Sequence, residues 1–345
     1  MFRTRNVLRW LFLFAGLGLL GWILTEADLD ELVEVVSGIG WSVGVILAVY
    51  LLAFIADTFA WQLAIPSFPL DRRHLYRAWK VRMVGELFNA ITPLGNMGGE
   101  PVKAALLKRH HGIGLGEGTA SVIVAQTVIV LSLILFLAAG FALMAGSPVL
   151  PSAYKNAAGV GLAMLAVGIG LFFLVQRFRV TSVTGHWLSS RRIGHALQGV
   201  LHHIHDVDDR LVRFYAGNPR RFVGALICSS IAWLLGVAEI YVTMDLLGHP
   251  ISVWDAWIIE SAAQMVRAGT FLIPASLGAQ DGAFLLVTGA MTGQPALGLA
   301  VALIRRFREI VWLISGALIG WSFAWRADRS IPDNTRDDKG RDDEA

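Results

Sequence analysis

Two short stretches rich in proline and glycine, TPLGNMGGEP at 92–101 and IPASLGAQDG at 273–282, interrupt a strongly apolar chain. Hydrophobic residues make up 55% of the 345 residues and charged residues 16%, against about 25% charged in a soluble domain. This balance predicts a polytopic, all-α membrane protein. Residues that stop helices are tolerated at membrane depth only where they are buried in protein or line a polar cavity. The two stretches are therefore the first candidates for a functional site.

Six further apolar runs are long enough to cross a hydrocarbon core of roughly 30 Å. They predict spans at about 8–24, 41–65, 119–144, 157–176, 222–247 and 296–325. Arginine and lysine cluster before the first span, after the second and in the 177–221 connector, whereas the 26–34 link is acidic. By the positive-inside rule, the N-terminus, the C-terminus and this connector are cytoplasmic. The sequence predicts a single integral membrane domain over 1–326.

Two polar regions outside the spans are predicted to lie in the cytoplasm. The 177–221 connector is expected to form an amphipathic surface helix, because its apolar residues recur at helical spacing. Its HHIHD stretch at 202–206 is interpreted as a solvated polar face, since adjacent histidines on a helix point in different directions, and no metal site is expected. The charged tail at 327–345 is predicted to be disordered.

The first interrupted segment, at 75–108, has cations at both ends, with Arg72 and Arg73 before it and Lys108 and Arg109 within or just after its last turn. If both ends are cytoplasmic, the segment cannot cross the membrane. Each arm is also too short to span the bilayer. The segment is therefore predicted to form a re-entrant helical hairpin that enters from the cytoplasm, turns and leaves.

The second interrupted segment follows the same pattern, because an acidic residue lies seven positions after the proline in both, as Glu100 and Asp281. The 222–247 span ends outside, so this second re-entrant hairpin opens outward. The sequence thus predicts an inverted-topology repeat with halves at 41–144 and 222–325, an arrangement from which many transporters build a midplane site. Backbone N–H groups at the starts of the exit arms are expected to favour an anion such as phosphate. The predicted turn residues are Pro93, Gly95, Gly98, Gly99, Pro274, Ser276 and Gly278.

The stretch ALIRRFREIVWLISGALIGW places Arg305, Arg306, Arg308 and Glu309 between two apolar runs. If the final stretch crosses the membrane once, these charges lie within the membrane, where ionisable residues are costly and by default functional. The alternative is two short helices joined by a basic cytoplasmic loop. In that case the second interrupted segment would cross fully and the inverted repeat would fail.

The elements PLGNMGGEPVKAALL, IPASLGAQDGAFLLV and ALIRRFREIVWLISGAL resemble those of the lysylphosphatidylglycerol synthase transmembrane-domain family, over about residues 5–326. The stretch from IIESAAQMVRAG through IPASLGAQDGAFLL, with the later RRFRE, is most similar to the subgroup associated with hopanoid biosynthesis. The resemblance implies a flippase-like protein of the bacterial inner membrane that moves anionic or modified phospholipids between leaflets. Many members carry a Glu-Arg pair in the third span, where this chain has Ala125 and Gln126, so its first half is short of a cation.

The leading hypothesis is a lipid transporter without chemistry of its own. Arginine suits phosphate recognition and stays charged when desolvated, while the carboxylates would pair with arginines in the empty protein or recognise an amine or a proton. The candidate head-group-binding residues are Arg305, Arg306, Arg308, Glu309, Arg267, Gln264, Gln280, Asp281, Glu86, Asn89, Asn96, Glu100, Lys103 and Gln126. No cofactor, nucleic acid or nucleotide motif is indicated. The expected partners are a membrane lipid and lipid-biosynthesis enzymes or a separate synthase.

Two other functions remain open at this stage. Glu86, Glu100 and Asp281 are acid/base candidates for a membrane-embedded enzyme that modifies lipid head groups, although no nucleophile motif accompanies them. The protein is alternatively a non-transporting assembly factor of lipid biosynthesis, whose broken segments only shape a partner interface. Structural explanations also exist for single residues: Glu86 and Arg82, four apart, form an intrahelical pair, and Lys103 is a snorkelling anchor.

Overall fold

The computed structural model describes residues 35, 37–91, 98–177, 213–270, 276 and 278–328. Every regular element among these residues is helical, which confirms the all-α prediction for this part of the chain. Three helical segments are long and apolar enough to cross a membrane: Ser37–Leu63, Leu115–Gly146 and Pro219–Leu246. The predicted span at 8–24, most of the 177–221 connector and the tail beyond Asp328 lie outside the described residues.

The described helices follow the predicted order of spans and interrupted segments. They are α1 (Val43–Leu63), α2 (Arg72–Ile91), α3 (Gly99–His111), α4 (Leu115–Gly146), α5 (Ser152–Arg177), α6 (Pro219–Leu246), α7 (Val253–Gly269), α8 (Ala279–Thr292) and α9 (Pro295–Asp328). The predicted spans from 41–65 onward agree with α1, α4, α5, α6 and α9 to within a few residues. Each interrupted segment forms two helices, α2 with α3 and α7 with α8.

Local sequence signals explain where several helices begin and end. The carboxylate of Asp71 accepts a hydrogen bond from the backbone N–H of His74 at 2.7 Å and so caps the start of α2. This bond, with a second one to the His74 ring, holds the pKa of Asp71 below its ordinary value. Ser252 and Asp255 form a reciprocal capping box at the start of α7. Gly112, at φ +71°, ends α3 in the left-handed conformation that glycine adopts most readily.

The helices pack in two groups around a central pair. α1 packs along α6, and the two interrupted segments lie on either side of this pair, with α2 against α1 and α7 against α6. α2 also packs against α3 and α9, and α7 also packs against α8 and α4. Further contacts join α3 to α4, α8 to α9, α4 to α1 and α6, and α6 to α9, while α5 covers α4 and α7. Among the first four helices, α4 therefore packs against α7 of the second interrupted segment. Among the last four, α9 packs against α2 of the first interrupted segment.

Two large apolar cores, and a small third one among α1, α4 and α6, hold this arrangement. The larger core lies among α4, α6, α7, α8 and α9, where Ile240, Ile259 and Phe284 are each at most 1% exposed. The smaller core joins the end of α1 to α2, α3 and α4, with Ile65 and Leu107 fully buried. Burial of a large apolar side chain stabilises a water-soluble fold by about 1.5–3 kcal/mol, but within lipid the advantage comes from close packing between helices.

α9 is one continuous helix of 34 residues, which rules out two short helices joined by a basic loop. The RRFRE stretch at 305–309 lies in the first half of α9, with its backbone in regular helical conformation. The helix does not break there because each charged side chain finds an opposite charge on a neighbouring helix or one turn away, as described below. α9 continues to Asp328.

Glycine permits the closest approaches between helices. A Cβ added at Gly99 of α3 would lie 1.9 Å from the carbonyl oxygen of Gly85 in α2. A Cβ added at Gly298 of α9 would lie 2.4 Å from the carbonyl oxygen of Phe284 in α8. Because these neighbours are backbone atoms, they cannot rotate away, and a side chain at either position would force the two helices apart.

We expect Gly298→Ala to destabilise the protein by about 1–3 kcal/mol, the usual cost of overpacking, even though alanine favours a helix. The measurement is the thermal unfolding midpoint of the detergent-purified protein. The matched control is Gly282→Ala in α8, where an added Cβ meets no atom within 4 Å. Equal midpoints for the two variants would contradict the close packing of α8 on α9.

Candidate functional site

Two groups of charged side chains lie in the helical interior. The N-terminal ionic cluster consists of five residues from α1, α2 and α3: Asp57, Arg82, Glu86, Glu100 and Lys103. The C-terminal ionic cluster consists of seven residues from α6, α7, α8 and α9: Glu239, Glu260, Asp281, Arg305, Arg306, Arg308 and Glu309. Isolated charges are costly at membrane depth, so pairing within each cluster is a condition for burying them.

In the N-terminal ionic cluster, Lys103 bridges two carboxylates. Its Nζ lies 3.0 Å from Oε1 of Glu86 and 2.9 Å from Oε1 of Glu100, which joins α2 to α3. One turn away on α2, Nη2 of Arg82 donates a hydrogen bond of 2.6 Å to Oδ2 of Asp57 in α1. Arg82 Nε lies 3.7 Å from Glu86, so the predicted intrahelical pair exists, but the bond to Asp57 is the shorter one.

Two amides complete the hydrogen bonding of Glu100. Nε2 of Gln126 in α4 donates to Oε1 of Glu100 at 2.8 Å, and Nδ2 of Asn89 donates to the same atom at 3.3 Å. Oδ1 of Asn89 in turn accepts the backbone N–H of Gly99 at 2.7 Å. Gln126, the polar residue of the third predicted span, therefore supports the start of α3. In the family that the sequence resembles, a Glu-Arg pair is common at this place in the third span.

In the C-terminal ionic cluster, Arg305 and Glu260 form a two-pronged ion pair between α9 and α7. Nη1 of Arg305 donates to Oε1 of Glu260 at 3.1 Å, and Nη2 donates to Oε2 at 2.7 Å. Arg308 donates to Glu239 of α6, and its guanidinium lies 3.7 Å from the centre of the Tyr50 ring in α1. Such bidentate and stacked contacts use the planar shape of arginine and would be lost with lysine.

Arg306 faces a different set of partners from those of Arg305 and Arg308. Its Nη2 donates to Oδ2 of Asp281 in α8 at 2.9 Å, and its Nη1 donates to Oε2 of Glu309 one turn along α9 at 2.8 Å. Oδ2 of Asp281 also accepts the backbone N–H of Gly278 at 3.0 Å. The acid that follows the second proline therefore ties the start of α8 to α9.

A cavity of about 250 Å³ lies between the two clusters. Its charged lining consists of Asp57, Arg82, Glu86, Glu239, Glu260, Arg267, Arg305 and Arg308. Tyr50, Phe54, Trp233 and Gln264 line it as well. Four arginines and four carboxylates therefore share one small space to which both groups of helices contribute.

Several cationic groups at this cavity have no acceptor among the described residues. Arg267 of α7 makes no hydrogen bond or ion pair with any residue of this part of the chain. Nη1 of Arg82 and the Nε atoms of Arg305 and Arg308 are also buried without a hydrogen-bond acceptor, although Nε of Arg305 faces Oε1 of Glu239 at 3.8 Å. Buried donors are normally satisfied, so these groups point to a ligand that offers oxygen acceptors.

The predicted head-group residues divide into three classes. Glu86, Gln264, Arg267, Arg305 and Arg308 line the cavity. Seven others lie in the clusters or bond to them without lining the cavity: Asn89, Glu100, Lys103, Gln126, Asp281, Arg306 and Glu309. Gln280 is buried at 1% exposure and lies outside the lining.

The predicted turns are described only in part. Gly98, Gly99, Ser276 and Gly278 fall within the described residues, and Ser276 has a positive φ of 48°. The remaining predicted turn residues and the head-group candidate in the first turn lie outside the described residues: Pro93, Gly95, Asn96 and Pro274.

The expectation that the exit arms offer unoccupied N–H groups to an anion needs correction at two positions. The Gly99 N–H at the start of α3 is donated to Asn89, and the Gly278 N–H before α8 is donated to Asp281. In both places a side chain of the protein already occupies the position that a phosphate oxygen would take. These two helix ends therefore offer no unoccupied N–H group at Gly99 or Gly278.

Sequence reasoning missed Tyr50 and four charged lining residues, Asp57, Arg82, Glu239 and Glu260. A signal for three of them was present, because Asp57, Glu239 and Glu260 are carboxylates within apolar runs, where ionisable residues are functional by default. Tyr50 carried no comparable signal, since an aromatic residue is ordinary in a membrane helix. No group of three potential metal ligands occurs among the described residues.

A larger cavity, of about 480 Å³, lies near the first turns of α4 and α6. Its lining includes Ser67, Glu117, Arg213 and Asn218, and it contains none of the predicted site residues. Glu117 accepts the backbone N–H of Ser67 at 3.2 Å, so its carboxylate has a structural use. The cavity between the ionic clusters is therefore the candidate functional site.

Comparison with known proteins covers most of the chain. The family described as "Lysylphosphatidylglycerol synthase TM region" matches residues 7–316. A curated relative, a UPF0104 membrane protein of Methanothermobacter thermautotrophicus, is 21% identical over 319 residues, which cover 85% of this chain and 87% of the relative. No solved structure matches the chain.

We expect Glu260→Leu to destabilise the protein by about 3–5 kcal/mol, because it leaves Arg305 buried without its bidentate partner. The double variant Glu260→Leu/Arg305→Met removes both charges and should recover most of this loss. Thermal unfolding in detergent measures both effects. A double variant no more stable than the single one would show that the pair is not a mutually dependent unit.

Proposed function

The chain belongs to the lysylphosphatidylglycerol synthase transmembrane family, and from this premise we propose that it is an integral membrane lipid transporter. It moves the head group of an anionic or modified phospholipid between the two leaflets, through the cavity between the ionic clusters, and carries out no covalent chemistry. The observation that carries the proposal is the cavity itself, where Arg267 and three further guanidinium N–H groups lack acceptors. A phosphodiester offers the oxygen atoms that would satisfy them.

The position of the cavity along the helices supports transport rather than surface binding. Arg305 lies ten residues after Pro295, or about 15 Å along α9 at 1.5 Å per residue. In a hydrocarbon core of roughly 30 Å, this distance corresponds to the middle of the membrane. A polar site at that depth is accessible to lipid head groups from neither surface without a pathway through the protein.

The packing of the helices supports an inverted repeat. If α1 to α4 correspond to α6 to α9, the packing of α2 on α9 corresponds to that of α7 on α4. The pairs α1–α2, α2–α3 and α3–α4 likewise correspond to α6–α7, α7–α8 and α8–α9. With the basic links in the cytoplasm, α2 and α3 form a re-entrant hairpin from the cytoplasmic side, and α7 and α8 form one from the outer side. This arrangement allows a site at the interface to open alternately to each leaflet.

In the proposed mechanism the ion pairs keep the cavity stable while it is empty. A head-group phosphate binds Arg267 first, because this cation has no carboxylate to displace. The Nε atoms of Arg305 and Arg308 then donate to the phosphate, while their Nη atoms keep the bonds to Glu260 and Glu239. The acyl chains remain in the lipid throughout. The protein lies in the cytoplasmic membrane with both termini in the cytoplasm.

Arg267→Gln should slow the movement of a fluorescent phospholipid across proteoliposome membranes by about tenfold or more, since a hydrogen bond to a charged group contributes roughly 1.5–3 kcal/mol. The measurement is the rate at which an acyl-labelled lipid becomes accessible to, or protected from, a membrane-impermeant quencher. The matched control is Arg220→Gln, at an exposed position in the first turn of α6. Arg267→Gln with the wild-type rate would contradict the proposed role of the cavity.

The topology is tested separately by single cysteines in a Cys228→Ser background. A cysteine at position 96 should react with an impermeant maleimide only from the cytoplasmic side, and one at position 279 only from the outer side. The expected difference follows from the opposite openings of the two hairpins. Labelling of both positions from the same side would exclude the inverted repeat.

A further inference from the structure

The charged lining of the cavity is polarised between the two groups of helices. From α1 and α2 come the carboxylates of Asp57 and Glu86 and the guanidinium of Arg82, a net charge of −1. From α6, α7 and α9 come two carboxylates, Glu239 and Glu260, and three arginines, for a net charge of +1. The cavity as a whole is therefore neutral but presents a negative side and a positive side.

The groups that remain available on each side have the same signs. On the negative side, the side chains of Asp57 and Glu86 are 22% and 38% exposed, and Glu86 already accepts hydrogen bonds from Lys103 and Asn89. Oδ1 of Asp57 accepts no hydrogen bond from a described residue, because Arg82 uses only Oδ2. On the positive side, Glu239 and Glu260 are at most 4% exposed and are engaged by arginines, while Arg267 is not paired.

The charges directly behind the lining add no positive excess. Behind the negative side, Lys103 and Glu100 cancel each other. Behind the positive side, the single charge of Arg306 faces two carboxylates, those of Asp281 and Glu309. The lining and the residues behind it together carry no net positive charge. A head group with one phosphate and no cation would therefore add a negative charge that nothing in the site balances. In a medium of low dielectric, such an imbalance is costly.

The size of the cavity adds a second constraint. At about 250 Å³ it is below the roughly 300–1,000 Å³ of pockets that enclose drug-sized ligands. Phe54 and Trp233 form the aromatic part of the lining. Polar contacts with a ligand are therefore confined to the two charged sides and do not extend along a groove. The space suits a compact head group better than an extended aminoacyl or glycosyl one.

We propose that the substrate is a phospholipid with a compact zwitterionic head group, a phosphodiester joined through a short linker to a primary ammonium. The phosphate lies against Arg267, Arg305 and Arg308, and the ammonium donates hydrogen bonds to Asp57 and Glu86. This orientation matches the potential of each side of the cavity, which determines specificity more than total charge does. The inference rests on the proposed transport function and narrows its substrate class.

The test compares lipids in the wild-type protein, so that it does not depend on how variants fold. Proteoliposomes contain one of four acyl-labelled lipids: phosphatidylethanolamine, phosphatidylcholine, phosphatidylglycerol or a lysyl-phosphatidylglycerol. We expect phosphatidylethanolamine to move about tenfold faster than phosphatidylglycerol, which has no cation, a difference equal to one hydrogen bond to a charged group. Phosphatidylcholine should be intermediate, because its trimethylammonium carries charge but donates no N–H bond.

Three outcomes would overturn the inference. Phosphatidylglycerol moving as fast as phosphatidylethanolamine would remove the need for a cation, and faster movement of the lysyl lipid would remove the size limit. If none of the four lipids moves, the proposed transport function fails together with the inference. Uptake of radiolabelled glycerophosphoethanolamine into the same vesicles distinguishes the lipid from its soluble head group: uptake without lipid movement keeps the head-group chemistry but overturns the lipid as its source.

A variant series locates the two ends of the head group. Glu86→Gln should reduce phosphatidylethanolamine movement about tenfold without slowing phosphatidylglycerol, because it removes a negative charge from the site, so the gap between the two lipids narrows. Arg267→Gln should reduce both rates. Thermal unfolding checks that each variant is folded, and titration of the purified protein with dihexanoyl phosphatidylethanolamine measures binding without transport. Equal losses for both lipids in Glu86→Gln would contradict an ammonium site at this residue.

Discussion

The structure depends on how the arginines of α9 are neutralised. Three guanidinium groups within four residues of one membrane helix would be prohibitive if they met only lipid and apolar side chains. The carboxylates of Glu260, Glu239 and Asp281 meet them from α7, α6 and α8 in turn. Each ion pair therefore fixes the position of one neighbouring helix along α9, because the pair forms at only one register. The apolar contacts around these pairs add packing, but the pairs determine the register.

The sequence predicted much of this framework because its strongest signals are local. Apolar runs, basic links and two turns with a proline, glycines and an acid define the helices and the places where they break. The charge of RRFRE at 305–309 inside an apolar stretch also marked α9 as functional. Whether α9 is one helix or two could not be decided from the stretch alone, because the answer depends on carboxylates more than twenty residues away. α9 continues as one helix because carboxylates on neighbouring helices neutralise its arginines.

The composition of the cavity lining was harder to predict. A sequence shows that Asp57 and Glu239 are single carboxylates in apolar helices, but it does not show the rotation of each helix about its axis. That rotation decides whether a side chain lines the cavity or lies behind it. Arg306 and Arg305 are adjacent in sequence, yet Arg305 lines the cavity while Arg306 contacts Asp281 and Glu309 outside it. The count of arginines therefore overstates the cationic character of the site.

If the cavity binds a head group as proposed, its ion pairs also explain how the head group can be bound without being held too tightly. If every arginine at the site were unpaired, a phosphate would form several strong bonds at once and its release would be slow. Here most of the favourable interaction of the arginines is already made within the protein, so a ligand gains only what the unsatisfied N–H groups and Arg267 add. The same pairs persist when the ligand leaves, which lowers the free energy of the empty state. Selectivity then depends on the few groups that remain unpaired on each side, and transport is favoured by the small difference between the occupied and empty cavities.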